Sequence, residues 1–324
     1  MDINPENFKN IDGRSILLIG ALGNIGKYIT DVLLQLQNYS FLRLMDVKTP
    51  QEEFKIPNRN IEACFGAELG NIKNRDLIKA SLDGIDTVLF AVGIRPRLGL
   101  TKDEKTSLYE TELVGIKNII ESQGREWNVN EIIYISSLGA GDTYPVGENA
   151  KIKQKVDEIL KDEVWDRRRK TFVSIRPSGY LYDIFEMPRE LKKRKMPAYL
   201  PKGGEVYIQP IAEENVAEMI VRSINNENAR NNYIHAAGPK KYTYRELFTD
   251  FNKVFGYKFT IDGTVDAGFC IEWYGSDVIA HRLNTHSIIT DKQLNDLTEK
   301  YFPGIKLITL EEAVKKHPEY IKIN

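Results

Sequence analysis

Along the first 180 or so residues, apolar positions come in two rhythms. Short unbroken runs alternate with stretches where apolar residues recur every three or four positions. "SILLIG" (15–20) is an unbroken run, which predicts a strand buried on both faces. Ile25, Ile29, Val32, Leu33 and Leu36 then recur at helical spacing. "FLRLMD" (41–46), "IEACFG" (61–66) and "DTVLFAVG" (86–93) predict three more strands. A helix over 107–123, a strand over 131–137, a helix over 149–161 and a strand over 171–177 continue the alternation. This order predicts an α/β fold, a doubly wound parallel sheet with helices on both faces.

After Pro177 the rhythm changes. "YLYDIFEMPRELKKRKMPAYLPKGGE" mixes proline, aromatic residues and charge, and reads as irregular. A helix over 212–224 and a strand over 232–238 follow. Three later helices begin on capping boxes, Thr243 with Glu246, Thr290 with Gln293 and Thr309 with Glu312. In each, the hydroxyl meets a free backbone N–H and the residue three later bonds back. The second half is therefore expected to be a smaller, looser α/β lobe interleaved with the first.

The first strand feeds its helix through Gly20, Gly23 and Gly26. The first glycine permits a tight turn, the second lets backbone approach a pyrophosphate, and the third lets helix pack on strand. The backbone from Gly20 through Leu22, Gly23, Asn24 and Ile25 to Gly26 then faces the phosphates, aided by the helix dipole. A dinucleotide site also needs an acid about 20 residues on, at the end of the next strand. Asp46 stands there. Its carboxylate suits the two ribose hydroxyls of NAD and repels the 2′-phosphate of NADP. Lys48 offsets part of that repulsion. The expected cofactor is NAD, with NADP the less favoured. The expected division is a Rossmann-type dinucleotide domain over 1–178 and a substrate-binding lobe over 179–324.

Composition narrows the function further. The chain has 324 residues, 42% hydrophobic and 28% charged, with a formal net charge of −1. No global field draws it to nucleic acid or to an anionic membrane. The polar start, "MDINPENFKNIDGR", does not read as a secretory signal, and no apolar run is long enough to span a bilayer. Cys64 and Cys270 form no paired pattern. Two thiols in a reducing cytoplasm are expected. His235, His281, His286 and His317 show no metal-ligand spacing, so no metal is expected.

Several segments resemble the extended and atypical branches of the short-chain dehydrogenase/reductase superfamily. The glycine spacing is one. "AVG", Ala91, Val92 and Gly93, is similar to the segment that lies along the cofactor. "ELVGIKNII" resembles the Asn-x-x-Gly-x-x-Asn helix, with Glu112 where asparagine is usual. "YISS" (134–137) resembles the active-site serine strand, and "SIRPSG" the loop that sets a proline, here Pro177, beside the nicotinamide. The resemblance runs over roughly 14–255. It implies a nicotinamide dinucleotide and a substrate pocket between sheet and C-terminal lobe. Dimers of this superfamily usually meet through the helices that correspond to 107–123 and 149–161, so a homodimer is one of the states the resemblance leaves open.

The superfamily's catalytic pattern, Tyr-x-x-x-Lys on a helix, is broken. Residues i and i+4 share a helical face, and the ammonium lowers the tyrosine pKa from about 10. "KQKVDEIL" puts Lys153 in the lysine position, where the resemblance implies contact with the nicotinamide ribose, and Asn149 stands four residues before it. No other lysine of this helix restores the pattern. The expected catalytic set is Ser137, Lys153 and a displaced tyrosine: Tyr144 first, with Tyr180 and Tyr182 as others. Arg95 and Arg97 stand where they would meet an anionic substrate or lie on a surface loop; "DRRRK" (166–170) reads as a solvated loop.

Two functions remain open. One is an NAD(P)-dependent oxidoreductase or epimerase acting on a small or sugar-nucleotide substrate. The other is a dinucleotide-binding regulator of the nitrogen-metabolite-repressor type, which senses the cofactor and does no chemistry. Nucleic acid and membrane are not expected partners.

Overall fold

A computed structural model describes residues 3–52, 54–93, 102–123, 127–143, 148–185, 191, 198–255, 261–262 and 286–318. Its elements in chain order are β1 (Ser15–Ile19), α1 (Gly26–Leu36), β2 (Phe41–Asp46), β3 (Ile61–Phe65), α2 (Arg75–Ser81) and β4 (Thr87–Phe90). Next come α3 (Lys102–Ser122), β5 (Glu131–Ile135), α4 (Glu148–Ile159) and β6 (Thr171–Pro177). The second half adds β7 (Ala198–Tyr199), β8 (Tyr207–Ile208), α5 (Glu213–Ser223), β9 (Asn232–Ala236) and β10 (Tyr242–Thr243). It ends with α6 (Tyr244–Phe255), β11 (Ile261–Asp262), α7 (Asp291–Asn295) and α8 (Leu310–Lys316).

Seven strands form one parallel sheet in the order β3-β2-β1-β4-β5-β6-β9. The unbroken apolar runs have the physical reason expected of them. Ile16 and Leu18 face α1 and α5, whereas Leu17 and Ile19 face the layer of α2, α3 and α4, and all four are buried. A strand covered on both faces has no room for alternation. Strand order reverses between β1 and β4, which opens a crevice at their carboxyl ends.

The predicted first-half strands and helices are present with small shifts at their ends. One short helix, α2, had no clear periodic signal; it is seven residues long and starts on Asn74, whose side chain accepts from the N–H groups of Asp76 and Leu77. The segment after Pro177 is not a separate body. Its α5 packs on α1, and its β9 extends the main sheet beside β6. A second apolar cluster, with Leu181, Tyr182, Phe185, Phe248 and Leu310 among its members, forms the smaller lobe. All three capping boxes are made; Thr243 and Glu246 exchange bonds of 3.1 and 2.7 Å.

Among the described residues, no helix is long and apolar enough to cross a membrane. Nor does any group of three or more His, Cys, Asp or Glu suit a metal ion.

Candidate functional site

The glycine turn sits at the strand-order reversal. Gly20 has φ +88°, a left-handed conformation that disfavours side chains. A β carbon on Gly26 would stand 1.8 Å from the Gly20 carbonyl oxygen, so only glycine lets α1 start this close to β1. The end of β4 presses on the same turn, because a Gly20 β carbon would lie 2.8 Å from the Ala91 carbonyl. Gly20 and Ala21 donate to Met45 at 2.8 and 3.2 Å, and Gly23 donates to Gly20 at 2.9 Å. Among the described residues, the N–H groups of Asn24, Ile25 and Gly26 meet no protein acceptor. They lie at the start of an eleven-residue helix, where backbone amides favour an anion.

Asp46 ends β2 and is 6% exposed. Its Oδ2 accepts from the Leu22 N–H at 2.8 Å and its Oδ1 from the Lys48 N–H at 2.9 Å. The carboxylate thus ties the second strand to the glycine turn. Each oxygen keeps a lone pair for a further donor. The unspent amides and the tethered acid fit the pyrophosphate and ribose of a dinucleotide, and Gly26 lets the helix that carries those amides start close behind β1. Beside them, Ala91 is buried, Val92 half-buried and Gly93 exposed.

The expected catalytic side is built differently. Lys153 in α4 points inward. Its Nζ donates to Glu112 Oε2 and to the Ile135 carbonyl, each at 2.9 Å, and lies 3.4 Å from the Tyr134 hydroxyl. That hydroxyl donates to the same Glu112 oxygen at 2.6 Å. All three ammonium protons therefore have protein acceptors. The pair is deeply buried, at 9% and 1% side-chain exposure. Burial, reinforced by Glu112, pushes the Tyr134 phenol well above its ordinary range. Tyr134 is thus a poor proton donor.

Ser137 follows β5 at the open end of the sheet, half-buried, with no side-chain hydrogen bond at its helical turn. Asn149 is half-buried in the first turn of α4. Tyr144, Arg95, Arg97, Cys270 and His281 lie outside the described residues. Tyr182 is buried and donates to Glu214 Oε1 at 2.9 Å, and burial raises its pKa. Tyr180 is half-buried beside Ile211, close enough to Tyr134 to add to its upward shift. Pro177 is buried at the end of β6, paired with Ala236.

Sequence reasoning missed a second polar cluster. Asp157 Oδ1 accepts from Ser174 Oγ at 2.6 Å, and Oδ2 from Ser136 Oγ at 3.0 Å and from Arg176 Nη2 at 2.8 Å. Asp157 lies four residues after Lys153 on one helical face, and that spacing was the available signal. A separate cavity of about 440 Å³ lies where α5 meets Phe8, Gly304 and Lys306; no residue of the glycine turn lines it.

Residues 17–168 match the model of the 3-beta hydroxysteroid dehydrogenase/isomerase family. No curated protein matches the chain. Solved structures resemble it over nearly its full length. UDP-glucose 4-epimerase from Thermotoga maritima, solved with UDP-glucose, shares 15% identity at a TM-score of 0.69, over 94% of this chain and 98% of that one. The enzyme WbmH from Bordetella bronchiseptica, in complex with NAD+, shares 15% identity at 0.68, over 95% and 98%. The triphenylmethane reductase of Citrobacter sp., complexed with NADP(H), shares 16% identity at 0.67, over 93% and 99%. At these identities the likeness establishes the fold.

Proposed function

We infer that the chain works as a member of the extended short-chain dehydrogenase/reductase superfamily, whose fold it has and one of whose family models matches residues 17–168. We propose that it binds a nicotinamide dinucleotide in the glycine turn, NAD in preference to NADP, and works as an oxidoreductase on a small substrate. The observation that carries this reading is the set of unspent amides at Asn24, Ile25 and Gly26 beside the tethered Asp46. The carboxylate has lone pairs for ribose hydroxyls and opposes a 2′-phosphate. When bound, the cofactor supplies or accepts a hydride. Ser137 is open to orient a substrate oxygen. With Asn149 in the tyrosine position and Lys153 held by Glu112, Tyr180 is the displaced tyrosine that best supports proton transfer. Epimerisation is less favoured than reduction, because it needs a base strong enough to take a hydroxyl proton. Oxidation of an alcohol is disfavoured on the same ground.

The Glu112–Lys153 pair favours a second reading, a dinucleotide-binding regulator without chemistry. One experiment separates the two. NADH and NADPH are titrated by fluorescence, and NADH oxidation is followed with a panel of carbonyl and imine acceptors. Saturable NADH binding with turnover, lowered at least tenfold in Tyr180→Phe, is the expected result. Binding without turnover selects the regulator. No binding of either dinucleotide, with wild type behaving like Gly26→Ala, rejects both.

A further inference from the structure

The Asp157 cluster leaves one edge of an arginine unused. Arg176 stands near the carboxyl end of β6 and is mostly buried, at 11% side-chain exposure. Its Nε and Nη2 donate to Asp157 Oδ2 at 3.0 and 2.8 Å. The Tyr233 ring centre lies 4.2 Å from its guanidinium carbon. The group is thus held on one edge and one face. Its Nη1 edge has two N–H bonds and no protein acceptor among the described residues.

His235 in β9 is the in-register neighbour of Arg176 and faces the same side of the sheet. Its Nδ1 lies 2.5 Å from Gln293 Nε2. Which end of the Gln293 amide faces the ring is settled by a capping box. Gln293 Oε1 accepts from the Thr290 N–H at 2.8 Å, and the Thr290 hydroxyl is 3.0 Å from the same oxygen. The amide nitrogen must therefore face His235. An amide NH2 only donates, so Nδ1 presents its lone pair and the proton sits on Nε2. Protonating Nδ1 would set two donors against each other. Burial, together with Arg176, also holds this histidine below its ordinary pKa.

The two spare donors converge. The point where a β carbon of Gly141 would stand is 2.7 Å from Arg176 Nη1 and 3.4 Å from His235 Nε2. Gly141 is exposed, and a β carbon there would press on Arg176 Nη1, so only glycine leaves this side of the pair uncovered. The dinucleotide turn follows β1, three strands away from β6 and so about 14 Å across the sheet. Its pyrophosphate therefore cannot be what these donors meet.

We propose that Arg176 and His235, whose spare donors both face Gly141, form a subsite for an oxyanion, the carboxylate or phosphate of a second ligand. Because Asp157 offsets the arginine's charge, the subsite offers aimed donors rather than a net positive field. Selectivity then comes from geometry, and a free anion binds weakly. The proposal is independent of whether a bound dinucleotide reacts.

The test follows the His235 ring signals by NMR in the full chain at constant ionic strength, with inorganic phosphate in one arm and acetate in the other. A saturable shift with at least one anion is expected, weakened at least tenfold in Gly141→Ala, whose methyl would push Arg176 Nη1 aside. His235→Phe keeps the ring bulk and removes the donor; there the anion's gain in melting temperature should disappear. Tighter phosphate binding identifies a phosphate-bearing ligand, and tighter acetate binding a carboxylate. A response to both anions that never saturates, an equal response in Gly141→Ala, or an undiminished gain in melting temperature in His235→Phe overturns the subsite.

Discussion

The two halves of the sheet's carboxyl edge solve different problems. Around β1, β2 and β4 the chain leaves backbone amides unspent and ties them in place with one carboxylate, Asp46. Around β5, β6 and α4 the charged groups are spent on each other, Lys153 on Glu112 and Arg176 on Asp157. The first arrangement keeps an anion site ready at little cost, because an amide carries only a partial charge. The second buries full charges, which is tolerable only where each finds its partner. Unspent donors thus stand in a row on one side, and on the other they come down to single groups such as the spare edge of Arg176 and Nε2 of His235.

The largest effect should come from breaking a pair on the spent side. Lys153→Met leaves the Glu112 carboxylate buried without its ammonium, which should cost about 3–5 kcal/mol in urea unfolding. The double variant with Glu112→Gln should recover most of that loss. A single-variant cost under about 1 kcal/mol would mean that pairing does not organise this half.

A carboxylate at the opposite end of β5 sharpens the contrast, since it is buried with no cation in contact among the described residues. Glu131 Oε2 accepts from the Asn225 N–H at 2.8 Å, and its Oε1 has no hydrogen-bond partner among the described residues. Burial pushes its pKa up from 4.5 to about 7. Between those values the folded chain holds a proton that the unfolded chain has released, so stability falls as pH rises through the window. The expected loss is about 3 kcal/mol from pH 4.5 to above 7. Glu131→Gln should flatten this part of the pH profile of urea unfolding; an unchanged slope would assign it to other groups.

The smallest effect is on the unspent side. Asp46→Ala removes a ribose acceptor and loosens the turn, so NADH should bind roughly tenfold more weakly, about 1.4 kcal/mol. NADPH should lose less, because a repulsive charge goes as well. Equal losses for the two dinucleotides would show that Asp46 matters only as the tether on Leu22.

Much of this was legible in the sequence. The strands from β1 to β6 appear as apolar runs because strands buried on both faces must be apolar throughout. Gly20, Gly26 and Asp46 were legible because a strand, a turn and a helix contiguous in sequence build that half of the edge. The other half was only partly so. Glu112, Tyr134, Lys153, Asp157 and Arg176 come from four different elements, and beyond the helical spacing of Lys153 and Asp157 nothing local marks them as neighbours. Asn149 and Glu112 stood out as departures from a familiar pattern, but where Lys153 would point was not readable from either.

By itself, then, the sequence determined the doubly wound sheet, the glycine turn, the acid at the end of β2 and the three capping boxes. Each depends on residues close together in the chain, where periodicity and backbone geometry act directly. Tertiary structure alone decided that β9 joins the main sheet, that Lys153 turns inward to Glu112, and that a capping glutamine sets the proton of His235. These depend on long-range burial and hydrogen bonding, where a side chain's direction is chosen by partners that the linear order keeps apart.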